Sequence, residues 1–127
     1  MQIVKTSDAV GARVEDVDVK SLTDDQFAEI KSAFLANGAL FFPGQKLAPE
    51  DHIAFAQRWG GIDYNRFFKR REGYPEIAEV LKEPDQQLNI GGGWHTDHSY
   101  DEVPAMGSIL YALDIPPTGG DLSLIHI

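Results

Sequence analysis

A mixed fold, α+β and mainly β, is what this sequence predicts. Short runs of β-branched and aromatic residues are cut off by Gly and Pro, as strands joined by turns would be. Two longer stretches repeat apolar residues at helical spacing behind helix-start signals. The 127 residues, 43% of them hydrophobic, can enclose one core and are too few for two.

Taken in order, residues 2–4 and 12–14 read as strands, with Gly11 free to bulge or turn between them. Thr23 and Gln26 have the spacing of a capping box, Asp24 and Asp25 stand at the positive end of the helix dipole, and Leu22 can staple onto Phe27. A helix is therefore predicted over 24–36, with Phe27, Ile30 and Phe34 on its apolar face and Gly38 ending it. Residues 39–42 form a continuous apolar run stopped by Pro43-Gly44, which predicts a buried strand and a turn.

A second helix is predicted over 49–59, since Pro49 suits a first helical position, Ile53, Ala56 and Trp59 share one side, and Gly60-Gly61 terminates it. His52 in this helix reads as a solvated side chain rather than a ligand. Segment 63–73, DYNRFFKRREG, concentrates Arg66, Lys69, Arg70 and Arg71, four of eleven basic residues. It reads as a solvated loop, with attraction of an anionic substrate as the sharper alternative. Residues 76–82 read as a strand broken by Glu83-Pro84-Asp85, and residues 107–116, GSILYALDIP, are strand-like with Leu110, Tyr111 and Leu113 expected in the core.

Charge narrows the function. A net charge of −9 lacks the basic footprint that nucleic acid or an anionic membrane surface requires. No apolar run approaches membrane-spanning length, and cytoplasmic is the default location. With no cysteine, disulfides and thiolate metal sites are ruled out.

The chemistry concentrates in GGGWHTD, residues 91–97. On extended backbone, side chains two apart face the same way, so His95 and Asp97 can converge on one ion while Thr96 turns aside. An imidazole and a carboxylate are two thirds of the facial triad that holds non-haem Fe(II) and leaves positions open. The bland alternative is a polar pair on a surface loop. The glycines precede Trp94-His95 rather than a Lys-Ser/Thr helix start, so they do not read as a nucleotide loop. Close approach of backbone to a substrate at Gly91 fits better. His98 faces opposite His95 and is assigned no ligand role.

Beyond the motif, the chain runs Trp94-His95-Thr96-Asp97, then Pro104-Ala105-Met106-Gly107-Ser108-Ile109-Leu110, then Pro116-Pro117-Thr118-Gly119-Gly120-Asp121. This resembles the TauD/TfdA family of Fe(II)- and 2-oxoglutarate-dependent dioxygenases, with its W-H-[ST]-D, P-x-x-G-[SA]-[IV]-L and P-P-x-G-G-D-T signatures. The endings FFPGQ and QRWGG also resemble that family's front section. The resemblance implies the front portion of a double-stranded β-helix, or jelly roll, over residues 1–121, with His95 and Asp97 as metal ligands. It implies 2-oxoglutarate as cosubstrate, dioxygen as co-reactant, and hydroxylation of a small, anionic organic substrate coupled to decarboxylation to succinate. Taurine-oxidising members place a histidine and a tyrosine where Asn65 and Phe68 stand here; both are candidate substrate contacts, and the exchange argues against taurine itself.

The resemblance also implies parts that this sequence does not contain. The family's second metal histidine and its cosubstrate-binding arginine fall beyond residue 127, and its threonine after G-G-D is replaced by Leu122. The hexapeptide Leu122-Ser123-Leu124-Ile125-His126-Ile127 coincides with the in-frame translation of a common transposon-end sequencing adapter. The expectation is therefore a truncated reading frame with a non-native tail over 122–127, no use of His126 as a ligand, and a fragment inactive by itself. Missing partner strands are expected to leave apolar faces uncovered. Two other classes fit the His-Asp pair: a Zn(II)-dependent hydrolase and a non-catalytic small-ligand-binding module.

Overall fold

The computed structural model describes residues 1–88, 91–97 and 99–119. His98, Asp121, Leu122, His126 and the expected tail 122–127 lie outside the described residues.

Two strands, β1 (Gln2–Lys5) and β2 (Ala12–Glu15), pair antiparallel, with Ile3 opposite Val14 and Lys5 opposite Ala12. Gly11 makes the turn at φ +98°, and its carbonyl accepts from the Thr6 amide at 2.9 Å. A 3-10 turn, Val19–Ser21, leads into helix α1, Asp24–Asn37. The capping box at its start is complete: Thr23 Oγ1 accepts from the Gln26 amide (3.2 Å) while the Thr23 amide donates to Gln26 Oε1 (3.0 Å). Gly38, left-handed at φ +72°, closes the helix by donating to the Phe34 carbonyl at 2.8 Å.

After α1 the chain returns as β3, Leu40–Phe41, parallel to β2 with Ala12 opposite Leu40. The strand is shorter and less buried than its apolar run suggested. Pro43 has no amide to extend the ladder, and no described strand covers the far edge of β3, so Phe41 is 55% exposed. Helix α2, Pro49–Gln57, ends two residues before Trp59 because the amides of Arg58 and Trp59 reach back only three residues, to Phe55 and Ala56. Asp51 reaches back to the Ala48 amide at 2.9 Å. Ala48 has no side-chain acceptor to return the favour, so α2 keeps half a capping box.

The core is Ala12, Val14, Val19, Ile30, Ala33 and Phe55, all buried. Beside it Trp59 receives Phe27 and Phe34 edge-on, with ring centroids 5.1 and 5.4 Å away. Arg58 locks the two helices together, donating to the Leu22 carbonyl (2.8 Å) and Asp24 (2.7 Å) with its guanidinium 4.4 Å above the Phe27 ring.

Part of the basic segment expected to be loop is strand. β4 (Lys69–Arg71) and β5 (Tyr74–Glu79) form an antiparallel hairpin with a register shift between Arg70 and Arg71. Long cationic side chains are compatible with a two-stranded ribbon because they keep its edge from pairing further. Arg70 and Arg71 lie 5.4 and 5.9 Å from the rings of Tyr64 and Tyr74. The Tyr74 hydroxyl donates to Glu50, fastening β5 to α2.

From Val80 to Gly119 the described residues contain neither helix nor strand. The strand expected over 107–116 is not formed, and Leu110 and Leu113, expected in the core, are 83% and 77% exposed. A strand needs a neighbour to take its amides and carbonyls, and no described strand lies beside this segment. No helix among the described residues is long and apolar enough to cross a membrane.

Candidate metal centre

Gly91 to Asp97 forms a loop whose side chains are all exposed, Trp94 at 72% among them. Within it, His95 Nδ1 lies 2.7 Å from the carbonyl oxygen of Gly93. A carbonyl can only accept, so Nδ1 carries the proton, and in the neutral ring the lone pair belongs to Nε2. That nitrogen faces Asp97 Oδ1 at 3.4 Å. Two acceptors turned toward one another at this range repel unless a proton or a cation lies between them. Donors bound at about 2.1 Å to one ion and at right angles to each other are about 3 Å apart; the pair, at 3.4 Å, stands close to that spacing.

Gly91 backs this arrangement. Its φ is +71°, and a Cβ built on it would stand 3.2 Å from His95 Cε1 and 3.7 Å from Nε2. The glycine thus makes room for the imidazole. The two candidate ligands, His95 and Asp97, and the Gly93 carbonyl that orients the imidazole all lie within residues 91–97. A third protein ligand is not: among the described residues no group of three His, Cys, Asp or Glu side chains is arranged to hold a metal. This donor set, one imidazole and one carboxylate without thiolate, fits Fe(II) better than a structural zinc site.

The substrate candidates are placed unevenly. Asn65 turns its side-chain oxygen onto its own loop, accepting from the amides of Phe67 (2.8 Å) and Phe68 (3.0 Å). Phe68 is half-buried beside it. Arg66, between them in sequence, pairs with Asp101 at 3.1 Å, which brings the 63–68 loop to the stretch just after the His-Asp motif.

His52 was read as a solvated residue, and the structure corrects that. Its Nε2 sits 3.1 Å from the Ile109 carbonyl and its ring 6.2 Å from that of Tyr111. Tyr111 in turn accepts at its hydroxyl from the Leu47 amide (3.1 Å). These contacts fasten residues 109–111 to the start of α2 across more than fifty positions of sequence. The only sequence signal for them is a histidine on the half-buried side of α2 with a free ring nitrogen to satisfy.

The model of the family described as "Taurine catabolism dioxygenase TauD, TfdA family" matches residues 2–125. The (S)-phenoxypropionate/alpha-ketoglutarate-dioxygenase of Delftia acidovorans is 31% identical over 136 aligned positions, covering 94% of this chain and 44% of that protein. The alpha-ketoglutarate-dependent 2,4-dichlorophenoxyacetate dioxygenase of Cupriavidus pinatubonensis is 30% identical, covering 87% of this chain and 44% of its own length. The chain thus spans less than half the length of these relatives. A crystal structure of a taurine dioxygenase from Burkholderia xenovorans superposes with a TM-score of 0.60 at 31% identity, over 77% of this chain and 35% of that one. Over that part the chain shares the fold of these jelly-roll enzymes. A fold match, a family match over nearly its whole length and relatives at this level of identity lead to one conclusion: the chain belongs to the TauD/TfdA family of 2-oxoglutarate-dependent dioxygenases.

Proposed function

We propose that this chain carries the metal-binding loop of an Fe(II)- and 2-oxoglutarate-dependent dioxygenase that hydroxylates a small, anionic organic molecule. The observation that carries the reading is the opposed pair His95 Nε2 and Asp97 Oδ1, 3.4 Å apart, with the histidine tautomer set by Gly93. His95 and Asp97 are the ligands this chain would contribute. Iron and 2-oxoglutarate, when bound, supply the oxidising power that couples decarboxylation of the cosubstrate to hydroxylation. The chain's own residues orient that chemistry. Gly93 holds the imidazole with its lone pair outward, Gly91 leaves the ring its place, and Asp97 contributes the negative charge that a dication needs.

An anionic substrate is supported by the relatives, whose names specify phenoxypropionate and 2,4-dichlorophenoxyacetate, and by the cations of segment 63–73 in an otherwise acidic protein. Asn65 and Phe68, on a loop tied to the stretch that follows the metal motif, are the substrate contacts we assign. Asn65 has its amide nitrogen to offer, since its oxygen is taken by the loop.

Metal titration tests the reading. Co(II), a spectroscopic substitute for Fe(II), should bind the chain at one site and lose at least tenfold in affinity in H95A and in D97A. Equal binding by the double variant would overturn the assignment.

A further inference from the structure

The geometry points to Arg66 and Asp101 as a positioning pair that sets the metal loop against the rest of the molecule. This inference rests on the proposed metal site at His95 and Asp97. Between Val80 and Gly119 the described residues have no backbone ladder to another element, so the place of the His-Asp motif depends on side-chain contacts at its flanks. Downstream, Tyr111 and Ile109 provide such contacts, to the Leu47 amide and to His52, fourteen and twelve residues from Asp97 along the chain. Much nearer is the pair formed by Arg66 and Asp101, with Nη2 and Oδ1 3.1 Å apart.

Three features make this pair a positioning device rather than an incidental surface contact. Asp101 follows Asp97 by four residues, which limits the separation of their Cα atoms to about 14 Å. Its side chain is only 19% exposed, against 64% for Arg66, so the carboxylate end of the pair is shielded from solvent. Arg66 is itself presented from a braced turn, because Asn65 Oδ1 accepts from both the Phe67 and Phe68 amides. The pair therefore joins the loop that carries the assigned substrate contacts to the loop that carries the assigned metal ligands. Neither residue is one of the assigned metal ligands, so the pair acts through the placement of the loop.

Electrostatics and positioning make opposite forecasts for Arg66, which gives a decisive test. Removing a cation near a metal site strengthens cation binding if charge alone matters. If the arginine positions the loop, its removal weakens binding. We would titrate the whole chain with Co(II) in wild-type, R66A, D101A and the charge-swapped R66D/D101R forms, following the visible absorption band and checking each fold by circular dichroism. The expected result is a loss of about two- to fivefold in affinity for both single variants, the range a partly exposed ion pair can deliver. The swap should restore most of it, with the wild-type band shape. Wild-type or tighter binding by R66A overturns the proposal, as does a swap that fails to recover. H95A in the same series separates the two readings: if it too binds Co(II) like wild type, the metal site falls, whereas a weakened H95A beside an unchanged R66A removes the positioning pair alone.

Discussion

Gly91 lies against the ring of His95, so closely that a single added methyl would stand 3.2 Å from Cε1. At φ +71° an alanine there would also be held in the left-handed region, at a cost of about 1–3 kcal/mol. Either the backbone or the imidazole must give way. G91A is therefore expected to lower Co(II) affinity by about tenfold, consistent with about 1.4 kcal/mol, while the far-ultraviolet circular dichroism stays that of the parent. A G91A chain that binds metal like the parent would show that the glycine does not set the ring.

The Tyr74–Glu50 contact should make the junction of the hairpin with α2 sensitive to pH at both extremes. The tyrosine hydroxyl holds the Glu50 carboxyl below its ordinary 4.5, and the carboxylate, followed by burial, holds the Tyr74 phenol above its ordinary 10.0. A lowered carboxyl contributes stability above its unfolded value and loses it as pH falls through the folded one. A raised phenol contributes below its unfolded value and loses it as pH rises through the folded one. The contact is therefore at full strength between these limits, across neutral pH. Absorbance titration of tyrosine should show one phenol ionising late, and E50Q should bring that phenol back toward 10.0.

Trp59 offers a separable test of packing and hydrogen bonding. Its Nε1 is buried with no hydrogen-bond acceptor among the described residues, which costs about 1–3 kcal/mol, while its ring receives Phe27, Phe34 and Phe55 edge-on. W59F removes the unpaired donor and keeps an aromatic ring, so urea denaturation should place it within about 1 kcal/mol of the parent. W59A empties the cluster and should cost about 3–5 kcal/mol. Equal losses in the two variants would mean that the indole itself, and not the ring packing, matters here.

Gln45 bridges two turns that no backbone ladder connects. Its Oε1 accepts from the Val19 amide (3.1 Å), and its Nε2 donates to the carbonyls of Val17 (2.9 Å) and Pro43 (3.3 Å). Q45A should cost about 1–3 kcal/mol by stranding the Val19 amide and the Val17 carbonyl. Q45E should be worse at neutral pH, since a carboxylate oxygen would then face two carbonyls, and should recover in acid as the carboxyl gains a proton to donate. Chemical denaturation at two pH values checks both.

Much of the fold follows from local chemistry. Thr23, Gln26 and Gly38 mark both ends of α1 within a residue because capping is a contest among neighbours in sequence, and β1 and β2 are short apolar runs joined by a turn. The His95–Asp97 pair that we assign to a metal is written just as locally: its residues, Gly91 and Gly93 included, lie within seven positions. Local pattern and structure part where a partner decides. The run 107–116 has the composition of a core strand, yet strand and core are properties of a pair, and no described strand flanks it. The basic residues 69–71 read as loop by charge, yet β5 lies beside them and supplies the ladder.

By itself, then, the sequence determined the capped helix α1, the start of α2, the first hairpin, the His-Asp motif and the family to which the chain belongs, since each is written in residues close together along the backbone. Only the tertiary structure decided that His52 reaches Ile109, that Tyr111 takes the Leu47 amide, and that Arg66 meets Asp101 across thirty-five positions. The physical reason is that such contacts depend on where the packed core places two distant segments, and hydrogen bonds and ion pairs form only within a few ångströms.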